Sequence, residues 1–281
     1  MGSEESNAFS YIGLELNQNE DMTIIMHQKN YIANIEELKL ERNCNPEADL
    51  TNNEKHVLRS KLGQLSWIAK QTRPDIAFDV CDLSTNLKSP LVEDVLRANR
   101  IIKKLKKQNV TLSYGIMRCF EQLTVECYSD ASFGNLAGGG SQGGYIIFLS
   151  DPDGSRCPIS WQSRKVRRVV KSTLAAETLA LLDAAEAGVY LANLVTEIMC
   201  LEHPPLVKCF VDNKSLVENL YSTKLVEDKQ LRINIAVIKD MLERGDMSEV
   251  CWVQSARQIA NVLTKRGASP ELLLSVVSGH F

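Results

Sequence analysis

Residues 123–163 read LTVECYSDASFGNLAGGGSQGGYIIFLSDPDGSRCPISWQS, and their pattern decides the fold class. LTVECYSD (123–130), YIIFLS (145–150) and RCPISWQS (156–163) are β-rich runs. They are divided by the loop GNLAGGGSQGG and by the turn Asp151-Pro152-Asp153-Gly154, in which Pro presets φ and Gly supplies a positive φ. Three strands in hairpin succession are predicted. Downstream, apolar residues at spacings of three and four predict a long helix from Ser172 to about Cys200, closed by Pro204-Pro205. A strand VKCFVD (207–212), helices KSLVENLYS (214–222) and LRINIAVIKDML (231–242), a strand EVCWVQ (249–254) and a helical segment from Gln258 follow. The order is β-β-β-α-β-α-α-β-α, an α/β pattern.

Upstream the pattern is different. YIGLEL (11–16) and TIIMH (23–27), separated by the polar NQNEDM, read as a hairpin. Four helical patterns come next: YIANIEELKL (31–40), HVLRSKLGQLSWIAK (56–70), PDIAFDVCDLSTNL (74–87) and LVEDVLRANRIIKKLKK (91–107). Pro74 and Pro90 suit helix first turns, where a missing N–H costs nothing. A strand TLSYG at 111–115 ends this part. With 281 residues the chain has room for two domains, placed at 1–118 and 119–281.

Composition narrows the function classes. Hydrophobic residues at 44% and charged residues at 24% disfavour disordered and low-complexity classes. Glu4, Glu5, Glu15 and Glu20 interrupt the first twenty residues, and no run approaches the ~18 apolar residues of a membrane span, so neither a signal peptide nor a membrane partner is expected. Cys44, Cys81, Cys119, Cys127, Cys157, Cys200, Cys209 and Cys251 lie at irregular spacings with no C-x-x-C pair. They read as reduced thiols acting as small buried hydrophobes in an intracellular compartment, cytoplasmic or nuclear, with only Cys44 in a polar loop. Although the net charge is −3, the cations are clustered: RANRIIKKLKK (97–107) and SRKVRRVVK (163–171) contain no anion. Such runs are either solvated faces or phosphate contacts, and Lys103, Lys104, Arg164, Lys165, Arg167 and Arg168 are the candidates for the second role.

Three carboxylates stand out. Asp130 and Asp212 end the strands LTVECYSD and KCFVD, so if those strands lie side by side and parallel, both acids emerge at one sheet edge. Leu174, Leu181, Ala184, Gly188, Leu191 and Val195 form a stripe at alternating steps of three and four, and Glu177 fills its vacancy, facing the sheet. Glu186 and Glu197 lie off the stripe. An inward unpaired carboxylate is costly without a partner or a metal. Hard oxygen donors of this kind suit Mg²⁺ rather than zinc. His27, His56, His203 and His280 are too scattered to support a hydrolytic triad. No phosphate-cradling G-x-x-x-x-G-K-[ST] or strand-borne G-x-G-x-x-G occurs, and the glycines at Gly138 sit in a hairpin loop.

The segments YSDASF, GGYIIFL, PISWQSRK, the AAET around Glu177, FVDNKS and IANVLTK, in this order, resemble the ribonuclease H domain of Ty1/copia-type retrotransposon polyproteins. YIGLEL, QKNYIANI, LRSKLGQLSWIAKQTRPDIAFDV and the helix ending KKLKKQN resemble the last palm strands, thumb and connection of the reverse transcriptase in the same elements. The resemblance implies an RNase H-like mixed five-stranded sheet flanked by helices, preceded by a β-hairpin and a helical thumb and connection region. It implies Asp130, Glu177 and Asp212 as ligands of two Mg²⁺ ions, for which Mn²⁺ substitutes, with a fourth acid in an A-D-x-L-T-K motif. Here that motif reads Ala260-Asn261-Val262-Leu263-Thr264-Lys265, so Asn261 offers a neutral amide oxygen in place of a carboxylate.

The implied activity is Mg²⁺-dependent cleavage of the RNA strand of an RNA–DNA hybrid, with Asn213 and Ser215 as contacts to 2′-hydroxyls and the rest of the polyprotein as a further partner. Ser215 has a second reading as the cap of the following helix. The Y-x-D-D turn of a polymerase is missing, so DNA synthesis is not expected and the chain reads as a C-terminal fragment of a longer protein. Two other readings fit the same residues: a fragment that binds nucleic acid or a partner without cutting, and a remnant without a selected function.

Overall fold

The computed structural model describes residues 7–40, 45–223 and 226–279. Cys44 and His280 lie outside the described residues. The chain divides into two compact units, Met1–Ser113 and Tyr114–Phe281. The division falls ahead of the 118/119 boundary read from the sequence. Residues 115–118 are held within the second unit: the Cys157 thiol lies 3.8 Å from the Gly115 carbonyl, and the Arg118 N–H donates to Asp151 at 3.1 Å.

In the first unit, β1 (Ala8–Tyr11), β2 (Leu14–Gln18) and β3 (Ile24–His27) form an antiparallel meander that β4 (Leu112–Tyr114) extends in the order β1-β2-β3-β4. YIGLEL is therefore not one strand. It contains a tight turn at Ile12-Gly13, both at positive φ, which folds β1 back on β2.

The helices are α1 (Lys29–Ala33), α2 (Asn52–Gln71), α3 (Ala77–Thr85) and α4 (Val92–Lys107). α1 stops well short of the predicted 31–40, because the Asn99 side-chain amide bonds both the N–H and the C=O of Leu38 (2.8 and 2.9 Å) and holds that stretch extended. α2 begins ahead of His56 through a capping box, in which Thr51 Oγ1 accepts from the Glu54 N–H and the Glu54 carboxylate accepts from the Thr51 N–H. Pro74 opens a 3₁₀ turn as expected, whereas Pro90 lies outside α4, whose cap is Leu91, with Asp94 accepting from the Leu91 N–H.

TRPDI owes its form to a buried ion pair. Arg73 Nε and Nη2 donate to the two oxygens of Asp75 (2.7 and 2.9 Å), Arg73 Nη1 donates to the Gln108 carbonyl, and Lys104 Nζ lies 3.0 Å from Asp75. Burial would raise the Asp75 pKa, but Arg73 and Lys104 together hold it below the usual range.

In the second unit, β5 (Thr124–Ser132), β6 (Gln142–Ser150) and β7 (Arg156–Lys165) are the predicted hairpin succession. The turn 151–154 closes as expected, with the Gly154 N–H donating to the Asp151 carbonyl and Gly154 at φ 90°. β8 (Leu206–Val211) pairs parallel with β5, and β9 (Glu249–Trp252) pairs parallel with β8, giving the sheet order β7-β6-β5-β8-β9. α5 (Thr173–Met199), α6 (Lys214–Tyr221) and α7 (Lys229–Glu243) accompany it. The segment from Gln258 is a 3₁₀ stretch, Ile259–Leu263, followed by α8 (Glu271–Val277).

The stripe of α5 packs on the sheet as its spacing requires. Leu181, Ala184, Gly188, Leu191 and Val195 are buried with Val125, Cys127, Val207 and Cys209, while Glu186 and Glu197 are exposed. Gly188 sets the distance, because a Cβ there would stand 2.5 Å from Cys127 Sγ and 3.1 Å from Val207 Cγ1. α5 is also long and apolar enough to cross a membrane, which corrects the expectation that no run reaches that length. The thiols follow the sequence reading at Cys127, Cys157 and Cys209, which are buried, but Cys200 is exposed because it caps α5 in a left-handed conformation.

Candidate metal centre

The parallel pairing of β5 with β8 sets the site. Tyr128 pairs with Phe210, so two residues further on Asp130 and Asp212 emerge on the same face. Asp212 stands one residue past β8, as the sequence suggested. Asp130 differs from the expectation. It does not end its strand, because β6 continues to pair as far as Ser132 with Gln142, and Asp130 is fully buried.

Glu177 sits near the start of α5, whose N-cap Ser172 accepts from the Ala175 N–H. The three acids each bring one oxygen into a cluster whose atoms all lie within 4.8 Å of one another. Glu177 is 4% exposed, the Ala131 N–H supports its carboxylate, and its Oε2 is buried with no hydrogen-bond partner. Burial, then the charges of Asp130 and Asp212, push its pKa up to about 9, against the pull of Lys265. Burial also raises the pKa of Asp130, opposed by Lys265 and by the Thr264 hydroxyl. A buried carboxylate with an orphaned oxygen, clustered with two further carboxylates, fits a hard divalent cation, and Asp130, Glu177 and Asp212 are the residues that could hold it.

The wall facing the cluster comes from residues 258–265. Gln258 is buried and ties this segment to the sheet: its Nε2 donates to the carbonyls of Ser129 (3.0 Å) and Phe210 (3.2 Å), and its Oε1 accepts from the Ala260 N–H. The Thr264 hydroxyl donates to Asp130 Oδ2. Lys265 Nζ donates to Asp130 Oδ1 at 3.0 Å and to Asn261 Oδ1, while the Asn261 amide donates to the Ser255 carbonyl at 2.8 Å. Asn261 is thus brought to Asp130 through a shared ammonium. Gln258, Thr264 and Lys265 are the residues that sequence reasoning missed. The quoted IANVLTK contained two of them, but their bonds to Asp130 span more than a hundred residues.

The candidate nucleic-acid contacts divide. Asn213, not Ser215, caps α6, accepting from the Leu216 N–H at 3.0 Å, and Ser215 is exposed in the first turn. Lys103 pairs with Glu37, and Lys104 is committed to Asp75. Arg164 pairs with Asp183. Lys165 is exposed at the end of β7, and Arg167 and Arg168 are exposed on the segment between β7 and α5.

No protein-family model matches the chain. It is 29% identical over 217 residues to the retrovirus-related Pol polyprotein from transposon RE1 of Arabidopsis thaliana, a match covering 74% of this chain and 14% of that polyprotein. It is also 29% identical over 175 residues to the transposon Ty5-1 protein of Saccharomyces cerevisiae, covering 57% of this chain and 54% of that protein. The chain thus spans about a seventh of the length of the plant polyprotein. Among solved structures, the foamy viral protease-reverse transcriptase in complex with RNA/DNA hybrid superposes with a TM-score of 0.50 at 12% identity, covering 89% of this chain and 29% of that one. RNase H1 from the archaeon Halobacterium salinarum covers 53% of this chain at 19% identity with a TM-score of 0.37. The relatives are retrotransposon Pol polyproteins, in agreement with the motif resemblance, and the second unit has an RNase H-like fold.

Proposed function

We propose that this chain cleaves the RNA strand of RNA–DNA hybrids, with Asp130, Glu177 and Asp212 holding Mg²⁺. The observation that carries this reading is the set of three converging carboxylates in which Glu177 Oε2 is buried and unpartnered. Nothing in the described fold satisfies that oxygen, and a fold without a use for it would be more stable with an apolar side chain there. When bound, Mg²⁺ supplies Lewis-acid activation of water and stabilises the charge developing on the leaving 3′ oxygen.

The chain's own residues perform the remaining tasks. The Thr264 hydroxyl and the Lys265 ammonium fix the orientation of Asp130. The Ala131 N–H orients Glu177, and the Trp252 indole N–H donates to the Asp212 carbonyl at 3.0 Å, fixing the backbone that presents the third acid. Arg167 and Arg168, together with Lys165, offer phosphate contacts. Exposed Ser215 offers a hydroxyl for a 2′-OH contact, whereas the side-chain oxygen of Asn213 is committed to the helix cap.

The test is cleavage of an end-labelled hybrid in Mg²⁺ by the purified chain and by Asp130→Asn. The wild type is expected to cut the RNA strand, and the variant to lose cutting while retaining low-salt hybrid binding. A wild type that binds hybrid but leaves the RNA intact in both Mg²⁺ and Mn²⁺ would turn the reading into that of a binding fragment. Cleavage that persists in Asp130→Asn would refute the site.

A further inference from the structure

The carboxylate cluster is asymmetric. At one end, Glu177 Oε2 is buried and without a partner. At the other, Asp130 Oδ1 and Asn261 Oδ1 are joined by the ammonium of Lys265, and Asp130 Oδ2 accepts from Thr264. On the reading above, which this inference refines, the resemblance adds residue 261 as a fourth ligand position, and a second divalent ion would be held there with Asp130. We propose that Lys265 takes that ion's place, so that the centre binds a single divalent cation beside a fixed ammonium.

Position supports this assignment. Lys265 follows Asn261 by four residues, and the Lys265 N–H donates to the Asn261 carbonyl at 3.0 Å, so one turn of backbone puts both side chains on the same face. Gln258 pins the start of that turn to β5 and β8, so the ammonium is delivered to Asp130 by the fold, and its side chain is only 40% exposed.

Charge supports it as well. The cluster carries three carboxylates, which one divalent ion and one ammonium balance, whereas a second divalent ion would leave excess positive charge around a neutral Asn261. Position 261 is what differs from the motif: its amide oxygen is an adequate acceptor for the Lys265 ammonium and a weak ligand for Mg²⁺. In this arrangement Lys265 presents the second positive charge to the phosphate that a second ion would otherwise present.

The experiment counts bound Mn²⁺ in the full chain by electron paramagnetic resonance and calorimetric titration, for wild type, Lys265→Met and the double variant Lys265→Met/Asn261→Asp. Melting in chelator verifies that each is folded. Wild type is expected to bind one ion with an uncoupled signal, and the double variant two ions with the intensity loss of a coupled pair. Two ions in wild type, or a folded double variant that still binds one, would overturn the inference while leaving metal-dependent hybrid cleavage intact. A wild type that binds no Mn²⁺ and cuts no hybrid would remove the inference and the nuclease reading together.

Discussion

In chelator, where burial and the neighbouring acids hold Glu177 protonated, Glu177→Gln is expected to stabilise the protein, and by an amount that depends on pH. The Glu177 pKa is pushed from 4.5 up to about 9 by burial and by Asp130 and Asp212. Below pH 4.5 the carboxyl is protonated in the folded and unfolded chains alike and costs nothing. Above it the unfolded chain releases the proton and the folded chain keeps it, so folded stability declines as pH rises, until the folded group ionises near pH 9. At pH 7.5 the gap between the two states spans roughly three pKa units, on the order of 4 kcal/mol.

Gln carries no proton to lose, so the variant escapes this pH-dependent loss. For a unit of this size each kcal/mol moves Tm by about 2–4 °C, so the variant should melt ~10 °C above wild type at pH 7.5, with the difference closing toward pH 4.5. The assay is thermal unfolding by circular dichroism in chelator between pH 4.5 and 8.5. Adding Mg²⁺ should raise Tm in wild type and leave the variant unmoved, because the variant has lost a charged ligand. Equal melting temperatures at pH 7.5 would refute the claim that a carboxylate is buried at a cost, and with it the physical reason for placing a cation there.

Arg167→Gln/Arg168→Gln should weaken hybrid binding and flatten the slope of log affinity against log salt by about 1 to 2, read from filter binding at several salt concentrations; an unchanged slope would assign those arginines to a solvated face. Lys104→Gln should instead lower Tm and leave the salt slope alone, since its ammonium supports the buried Asp75, and a slope change without a Tm change would contradict that placement. Gly188→Ala should cost about 1–3 kcal/mol in denaturant unfolding, because the new methyl meets Cys127 Sγ and Val207 at the point where α5 lies closest to the sheet; a neutral result would show that the helix can lift without penalty.

Helix periodicity made the most distinctive site residue legible. A six-residue stripe in α5 has one polar vacancy, and the residue that fills it is buried with an unsatisfied oxygen. The strands were legible as runs, but whether β5 and β8 are neighbours is a property of pairing, and only that pairing brings Asp130 beside Asp212. Local patterns fail wherever a distant side chain takes over the backbone. YIANIEELKL has helical spacing, yet Asn99 claims both backbone groups of Leu38 and the helix ends early. YIGLEL has strand composition, yet positive φ at Ile12 and Gly13 folds it into a turn.

The basic runs show the same limit in electrostatic form. RANRIIKKLKK contains no anion, but in α4 Arg97 meets Asp82, Arg100 meets Glu93, Lys103 meets Glu37 and Lys104 meets Asp75. A run that is purely cationic along the chain is therefore largely paired in space, where phosphate would have to displace acids already in contact. Along SRKVRRVVK the outer cations Arg164 and Lys171 have acidic partners in Asp183 and Asp228. Between them Arg167 and Arg168 stand exposed beside Val169, which is 93% exposed, on the segment that leads directly into the helix carrying Glu177. The number of cations along the sequence ranks the first run higher, whereas accessible charge near the carboxylate helix ranks the second. Because counterion release depends on charges that face solvent, the second ranking is the one that hybrid binding should follow.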